Sequence, residues 1–288
     1  MPKKIIILYS LIMLSLFTVL PPQSFGDSMC TEEYGGGSNQ IKVATGSLGR
    51  LGLLKALADA YNESYDTTIC FIYAGSGEAL QLLKNKKVDL ILVHSEKAEI
   101  QAVKEGWADK RTLIGSNEYC IVGPKDDPAG IKKLKTAVDA YKQIADKKVK
   151  FFSRGDNSGT HVKEMEIWKE AGVVPSGKWY IVTKNNMTET LKVANKQKGY
   201  FMPENTTWFI GKHNYPSLDL LLKGDTNLLN IYHIVLRKYN KTDYNDYAIK
   251  FHDFVKSEKG QEIIRNFGKE KYGISFFNDA KKTKSLIE

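Results

Sequence analysis

The chain has 288 residues with 42 Lys and Arg against 33 Asp and Glu, a formal net charge of +9, and 42% hydrophobic residues. That balance excludes a disordered or fibrous chain, and the lysines are scattered among acids rather than striped, so the charge reads as solvated surface and not as a nucleic-acid face. Three cysteines (Cys30, Cys70, Cys120) allow at most one internal disulfide without choosing the pair, and with no Cys-x-x-Cys or clustered histidines no metal site or cofactor is called for.

Lys3 and Lys4 precede an apolar run from Ile5 to Leu20, closed by Pro21 and Pro22, and Ser24-Phe25-Gly26 offers small residues at a cleavage position. This predicts a signal peptide over residues 1–26 and an exported mature chain. The run is short for a membrane span, and Asp27-Ser28-Met29 is a poor lipobox before Cys30.

Beyond a glycine-rich arm at 35–38, strand-like and helix-like segments alternate. Ile41 to Thr45 reads as a strand and Leu51 to Tyr65 as a helix with apolar residues at helical spacing. A second strand, Thr68 to Tyr73, leads through Gly75-Ser76-Gly77 into a helix from Glu78 to Asn85, and Val88 to Val93 is a continuous apolar strand buried on both faces. Tyr119 to Val122 and Val149 to Ser153 read as further strands, Val162 to Ala171 as a helix, Asn230 to Leu236 as a returning strand, and Tyr244 to Phe267 as helical. Such alternation predicts an α/β fold with a mostly parallel sheet, whose ligand sits at the carboxyl ends of the strands. Turn residues at Gly123-Pro124-Lys125-Asp126-Asp127-Pro128 mark a boundary. It divides the chain into one lobe of 27–124 plus 228–288 and another of 125–227, with two crossings that form a hinge.

Three donor-rich turns fall at strand ends: Thr45-Gly46-Ser47, Gly75-Ser76-Gly77, and Arg154 to Thr160. The last is the most informative. Arg154, Ser158, Gly159 and Thr160 lie directly before a helix, whose unpaired N–H groups and dipole favour an anion, and arginine adds planar charge-assisted donors for its oxygens. The expected ligand set is Thr45, Gly46, Ser47, Ser76, Arg154, Ser158, Gly159 and Thr160.

Taken together, Ala44-Thr45-Gly46-Ser47, Gly75 to Leu80, Val88 to His94, Ile121 to Gly130, Ser153 to His161 and Phe267-Gly268 resemble the tungstate-binding family of periplasmic solute-binding proteins of ABC importers. The resemblance implies a two-lobed type II binding-protein fold, a tetrahedral oxyanion (tungstate or molybdate) in the interlobe cleft, a membrane permease as partner and a monomer that is not an enzyme. The family's first turn carries more threonine; here Ala44 and Gly46 stand at two of those hydroxyl positions and Arg50 follows.

Arg154-Gly155-Asp156-Asn157-Ser158-Gly159-Thr160 also fits the motif of phosphate-binding relatives. Phosphate sites offer a carboxylate to the anion's proton, whereas here Val93-His94 ends the corresponding strand, which favours a fully deprotonated dianion; Glu96 is the nearby acid that could still play that part. An anion sensor of the same fold is an alternative. A hydrolase using Ser158 is another, but none of the five histidines sits in a recognisable catalytic motif.

Overall fold

The computed structural model describes residues 30–288; the predicted signal peptide lies outside them. The first lobe begins with β1 (Glu32–Gly35), β2 (Asn39–Thr45), α1 (Ser47–Arg50), α2 (Leu53–Asn62), β3 (Thr67–Tyr73), α3 (Ser76–Lys84), β4 (Leu90–Val93), α4 (Glu96–Lys104) and β5 (Ala108–Glu118). β6 (Ile121–Pro124), α5 (Ala137–Asp146), β7 (Phe151–Ser153), α6 (Gly159–Glu170), β8 (Tyr180–Val182), α7 (Met187–Gln197), α8 (Asn205–Gly211) and β9 (Leu218–Leu222) follow. The chain then returns through β10 (Leu229–Arg237), α9 (Asp246–Lys256), α10 (Glu258–Asn266), α11 (Lys269–Tyr272), β11 (Asn278–Asp279) and α12 (Ala280–Ile287).

Seven strands form one sheet in the order β1-β3-β2-β4-β10-β5-β11. β3, β2 and β4 run parallel, and β10 lies antiparallel to β4 and β5, so the returning chain fills the sheet's centre. β4 is buried along its whole length, as its apolar run requires of a strand covered on both faces. One face packs Leu54, Tyr61, Phe71 and Phe251, the other Ile72, Leu83, Ile91 and Val235. In the second lobe β9 pairs with β6, Phe201 bridges to Val122, Tyr200 bridges to Phe151, and β7 runs parallel to β8. Trp168 is fully buried there, its ring 4.3 Å from that of Tyr141.

Four features differ from the sequence reading. The glycine-rich arm is preceded by β1, which the reading omits. β5 is also omitted, because Asp109, Lys110 and Arg111 break any apolar alternation; the strand is set by pairing with β10. The predicted helix at 51–65 starts earlier and is split, since Gly52 adopts a left-handed φ of +92° between α1 and α2. The seven-stranded sheet is mixed and not mostly parallel: only β3, β2 and β4 run parallel, while β1, β10 and β11 pair antiparallel with their neighbours. Ile121 to Pro124 pair with Leu218 to Leu222, and Tyr119 and Ile121 enter the second lobe's core.

Cys30 and Cys70 form a disulfide across a sequence separation of 40, leaving Cys120 free and buried. The bond ties the start of the described chain to β3 beside the edge strand β1. Closing such a loop stabilises by typically 2–4 kcal/mol. A loop of this length, closed across a separation of 40, falls toward the upper end of that range, because the bond acts mainly by restricting the unfolded chain. Reduction, or Cys30→Ser with Cys70→Ser, is expected to cost about 3–4 kcal/mol in a denaturant titration. An unchanged midpoint after confirmed reduction would contradict this.

Candidate functional site

A cleft of about 350 Å³ opens between the lobes, lined from the first by Gly46, Ser47, Ser76, His94 and Tyr232 and from the second by Arg154, Ser158, Gly159, Thr160 and Glu204. Three helix N-termini meet at it. Gly46 caps α1, Gly75 caps α3 and Ser158 caps α6, and the first-turn N–H groups of each helix have no intrahelical partner. Their dipoles place partial positive charge on one volume.

Seven of the eight expected residues line this cleft. Thr45 does not. Its side chain is fully buried and its hydroxyl donates to the Leu92 carbonyl at 2.8 Å. The reason is strand geometry: Thr45 still belongs to β2 and faces its parallel neighbour β4, so its donor is spent inside the sheet. Ser76 is 3% exposed and its Oγ accepts the His94 N–H at 3.3 Å. Ser158 caps α6, its Oγ accepting the His161 N–H at 3.4 Å. His161 Nδ1 meanwhile accepts the Asn157 N–H, so Ser158 and His161 form no nucleophile–base pair.

Arg154 and Arg50 are the cations in the cleft lining among the described residues, and the Arg154 side chain is only 13% exposed. Its Nη1 donates to Thr160 Oγ1 at 3.4 Å and its Nη2 pairs with Asp156. Its Nε is the one buried side-chain nitrogen or oxygen without a hydrogen-bond partner among the described residues. Burial works against the Asp156 carboxylate, but hydrogen bonds from Ser158 and the Arg154 charge outweigh it and hold its pKa below the usual range.

His94 ends β4 and reaches across the interface. Its ring lies 5.0 Å from that of Tyr232, and Tyr119 Oη is 3.5 Å from its Nδ1. Burial pushes its pKa down to about 4; Glu99 opposes this, while Arg154 and Lys163 add to it. The ring is therefore neutral at pH 7 and brings no charge to the cleft. Glu96, the acid near His94, points elsewhere, pairing with Arg111 at 3.1 Å.

The sequence reading missed the carboxyl that is present. Glu204 is 2% exposed, its Oε1 accepting from Ser47 Oγ at 3.0 Å and from Tyr232 Oη at 3.4 Å. Its Oε2 accepts from Asn117 Nδ2 at 3.2 Å. Arg50 and Tyr73 also line the cleft, the guanidinium stacked 3.7 Å above the ring. Thr207, in the helix that Glu204 precedes, lines the cleft as well.

Residues 31–259 match the family model of the PBP superfamily domain. The tungstate-binding protein TupA of Peptoclostridium acidaminophilum is 34% identical over 241 residues, covering 82% of this chain and 84% of that protein. The chain belongs to this family. The tungstate ABC transporter structure from Geobacter sulfurreducens is 35% identical with a TM-score of 0.73, over 81% of this chain and all of that one. The tungstate-binding protein TupA from Desulfovibrio alaskensis is 31% identical with a TM-score of 0.73, over 84% and 99% of the two chains. The two-lobed α/β architecture is thus that of the family's solved members.

Proposed function

We propose that this chain is the extracytoplasmic solute-binding component of an ABC importer and holds a tetrahedral oxyanion, tungstate or molybdate, between its lobes. The observation that carries the reading is Arg154: a cation lining the cleft where three helix N-termini meet, with a buried Nε–H that nothing among the described residues satisfies. Relatives named for tungstate binding support the choice of anion.

Around Arg154 the ligand set comprises Gly46, Ser47, Ser76, Ser158, Gly159 and Thr160, without Thr45. The lobes comprise 30–118 plus 229–288 and 119–228, and closure bends the chain at residues 119–120 and 228–229. The exposed ion pair Lys97–Glu166, at 3.2 Å, joins α4 to α6 across the closed cleft. Export follows from the predicted signal peptide and agrees with the Cys30–Cys70 disulfide, which needs an oxidising compartment and a Cys30 thiol free of lipid. The protein acts as a monomer that delivers its anion to a membrane permease.

Isothermal titration calorimetry of residues 27–288, stripped of anion, with tungstate, molybdate, phosphate and sulfate tests this. Tungstate and molybdate are expected to bind at least 100-fold more tightly than phosphate. A preference for phosphate would transfer the site to the phosphate-binding reading, and no heat with any of the four would end the oxyanion reading.

A further inference from the structure

Glu204 is a buried carboxyl in a cleft built for an anion, and the oxyanion reading above does not explain why it is there. Its surroundings come from both lobes. Glu204 precedes α8, whose Phe209 packs on Phe276 of the first lobe, while Ser47, Asn117 and Tyr232 reach it from α1, β5 and β10. The backbone of Tyr119 bridges to it, and its own N–H meets Met187 Sδ at 3.3 Å.

The Tyr232 proton can go to Glu204 Oε1 at 3.4 Å or to Ser47 Oγ at 3.0 Å; on the shorter contact, the proton count in this cluster has two solutions. Asn230 Nδ2 donates to Tyr232 Oη at 2.9 Å and to Asn117 Oδ1 at 2.8 Å, so the Tyr232 proton is free to point at Ser47 Oγ, 3.0 Å away. With Glu204 ionised, both its oxygens only accept, and the single Ser47 proton is drawn to Oε1 at 3.0 Å. Ser47 then has no donor left for a ligand. With Glu204 protonated, its O–H donates to Ser47 Oγ, which also accepts from Tyr232. The Ser47 proton is released and turns into the cleft that its side chain lines.

We infer that oxyanion binding takes up one proton at Glu204, and that this proton reverses the Ser47–Glu204 hydrogen bond so that Ser47 donates to the ligand.

The charges around Glu204 agree. Burial raises its pKa, against hydrogen bonds from Ser47, Asn117 and Tyr232 and the more distant Arg154 charge, which lower it. The N-terminus of α8 also favours the ionised form. His94 and the buried phenols of Tyr119 and Tyr232 are neutral at pH 7 and supply no compensating cation. Arg154 is the cation that a bound dianion would engage, so binding removes the main charge that keeps Glu204 ionised and adds a like charge beside it.

This inference rests on the oxyanion reading, and one experiment separates the two. Tungstate, and molybdate as a second probe, are titrated into the mature protein between pH 5.5 and 9 in buffers of different ionisation enthalpy. Wild type should take up as much as one proton per anion within that range, and on the alkaline side affinity should fall about tenfold per pH unit. Glu204→Gln, whose amide N–H mimics the protonated acid toward Ser47, should abolish the uptake and bind with a pH-independent affinity close to the wild-type value at acid pH. A second readout needs no variant: the infrared difference spectrum on adding tungstate should gain a protonated-carboxyl C=O band. Binding without proton uptake, uptake that survives in Glu204→Gln, or binding without the infrared band each overturns the inference and leaves the oxyanion reading standing. Absence of any binding overturns the oxyanion reading itself.

Discussion

Arg154→Ala is expected to weaken tungstate binding by about 100- to 1,000-fold with the fold intact. A hydrogen bond to a charged partner contributes roughly 1.5–3 kcal/mol, and every 1.4 kcal/mol is about tenfold in affinity. Arg154 brings at least one free donor, its unpartnered Nε–H, and a largely buried positive charge on the cleft wall. Removing it also leaves Asp156, now paired with Nη2, as an uncompensated negative charge near the anion. Those three losses act in the same direction. Arg154→Lys keeps the charge but not the planar fork, so it cannot satisfy Thr160, Asp156 and the ligand together; a loss of about tenfold is expected. Calorimetry reads the affinities, and thermal unfolding without anion checks the fold. An Arg154→Ala protein that binds within about threefold of wild type would mean that the anion is held elsewhere.

What could be read from the sequence is what local chemistry determines. The apolar run of β4, the glycine and hydroxyl turns, and the arginine before α6 are all set within a few residues, and each lies where the pattern puts it. Thr45 shows the limit: a threonine beside Gly46 and Ser47 looks like a ligand until parallel pairing with β4 commits its hydroxyl to Leu92. β5 was illegible for the same reason, since its pairing partner β10 lies more than a hundred residues on, and polar residues serve where the partner strand supplies the register. The Glu204 cluster is the extreme case. Ser47 meets Glu204 across a separation of 157 residues and Tyr232 across 185, so no window of sequence contains the arrangement. A lone glutamate after a proline carries no mark of its burial.

Gly159 sits directly against His94 of the other lobe, and substitution there should separate closure from folding. A Cβ built on Gly159 would lie 1.9 Å from His94 Cε1, 2.6 Å from Nδ1 and 2.7 Å from Nε2. No side chain tolerates that approach. The imidazole is not a flexible tip that can swing away, because Tyr232 packs against it and Tyr119 lies at its Nδ1. Relief has to come from the lobes themselves: the N-terminus of α6 must withdraw from the end of β4, which carries Arg154 and Thr160 away from Ser47 and Ser76. Neither lobe's apolar core includes Gly159, so each should still fold. Gly159→Ala is therefore expected to bind tungstate at least about 100-fold more weakly at near wild-type stability, since the donors of one lobe no longer reach an anion held by the other. Small-angle scattering should show a radius of gyration that no longer contracts on adding tungstate. The double variant His94→Ala, Gly159→Ala removes the ring that the new methyl strikes, so it should recover most of the lost affinity and the contraction. Recovery would identify the steric block as the cause. A Gly159→Ala protein that binds and contracts like wild type would mean that anion binding does not need the close approach of His94 to α6.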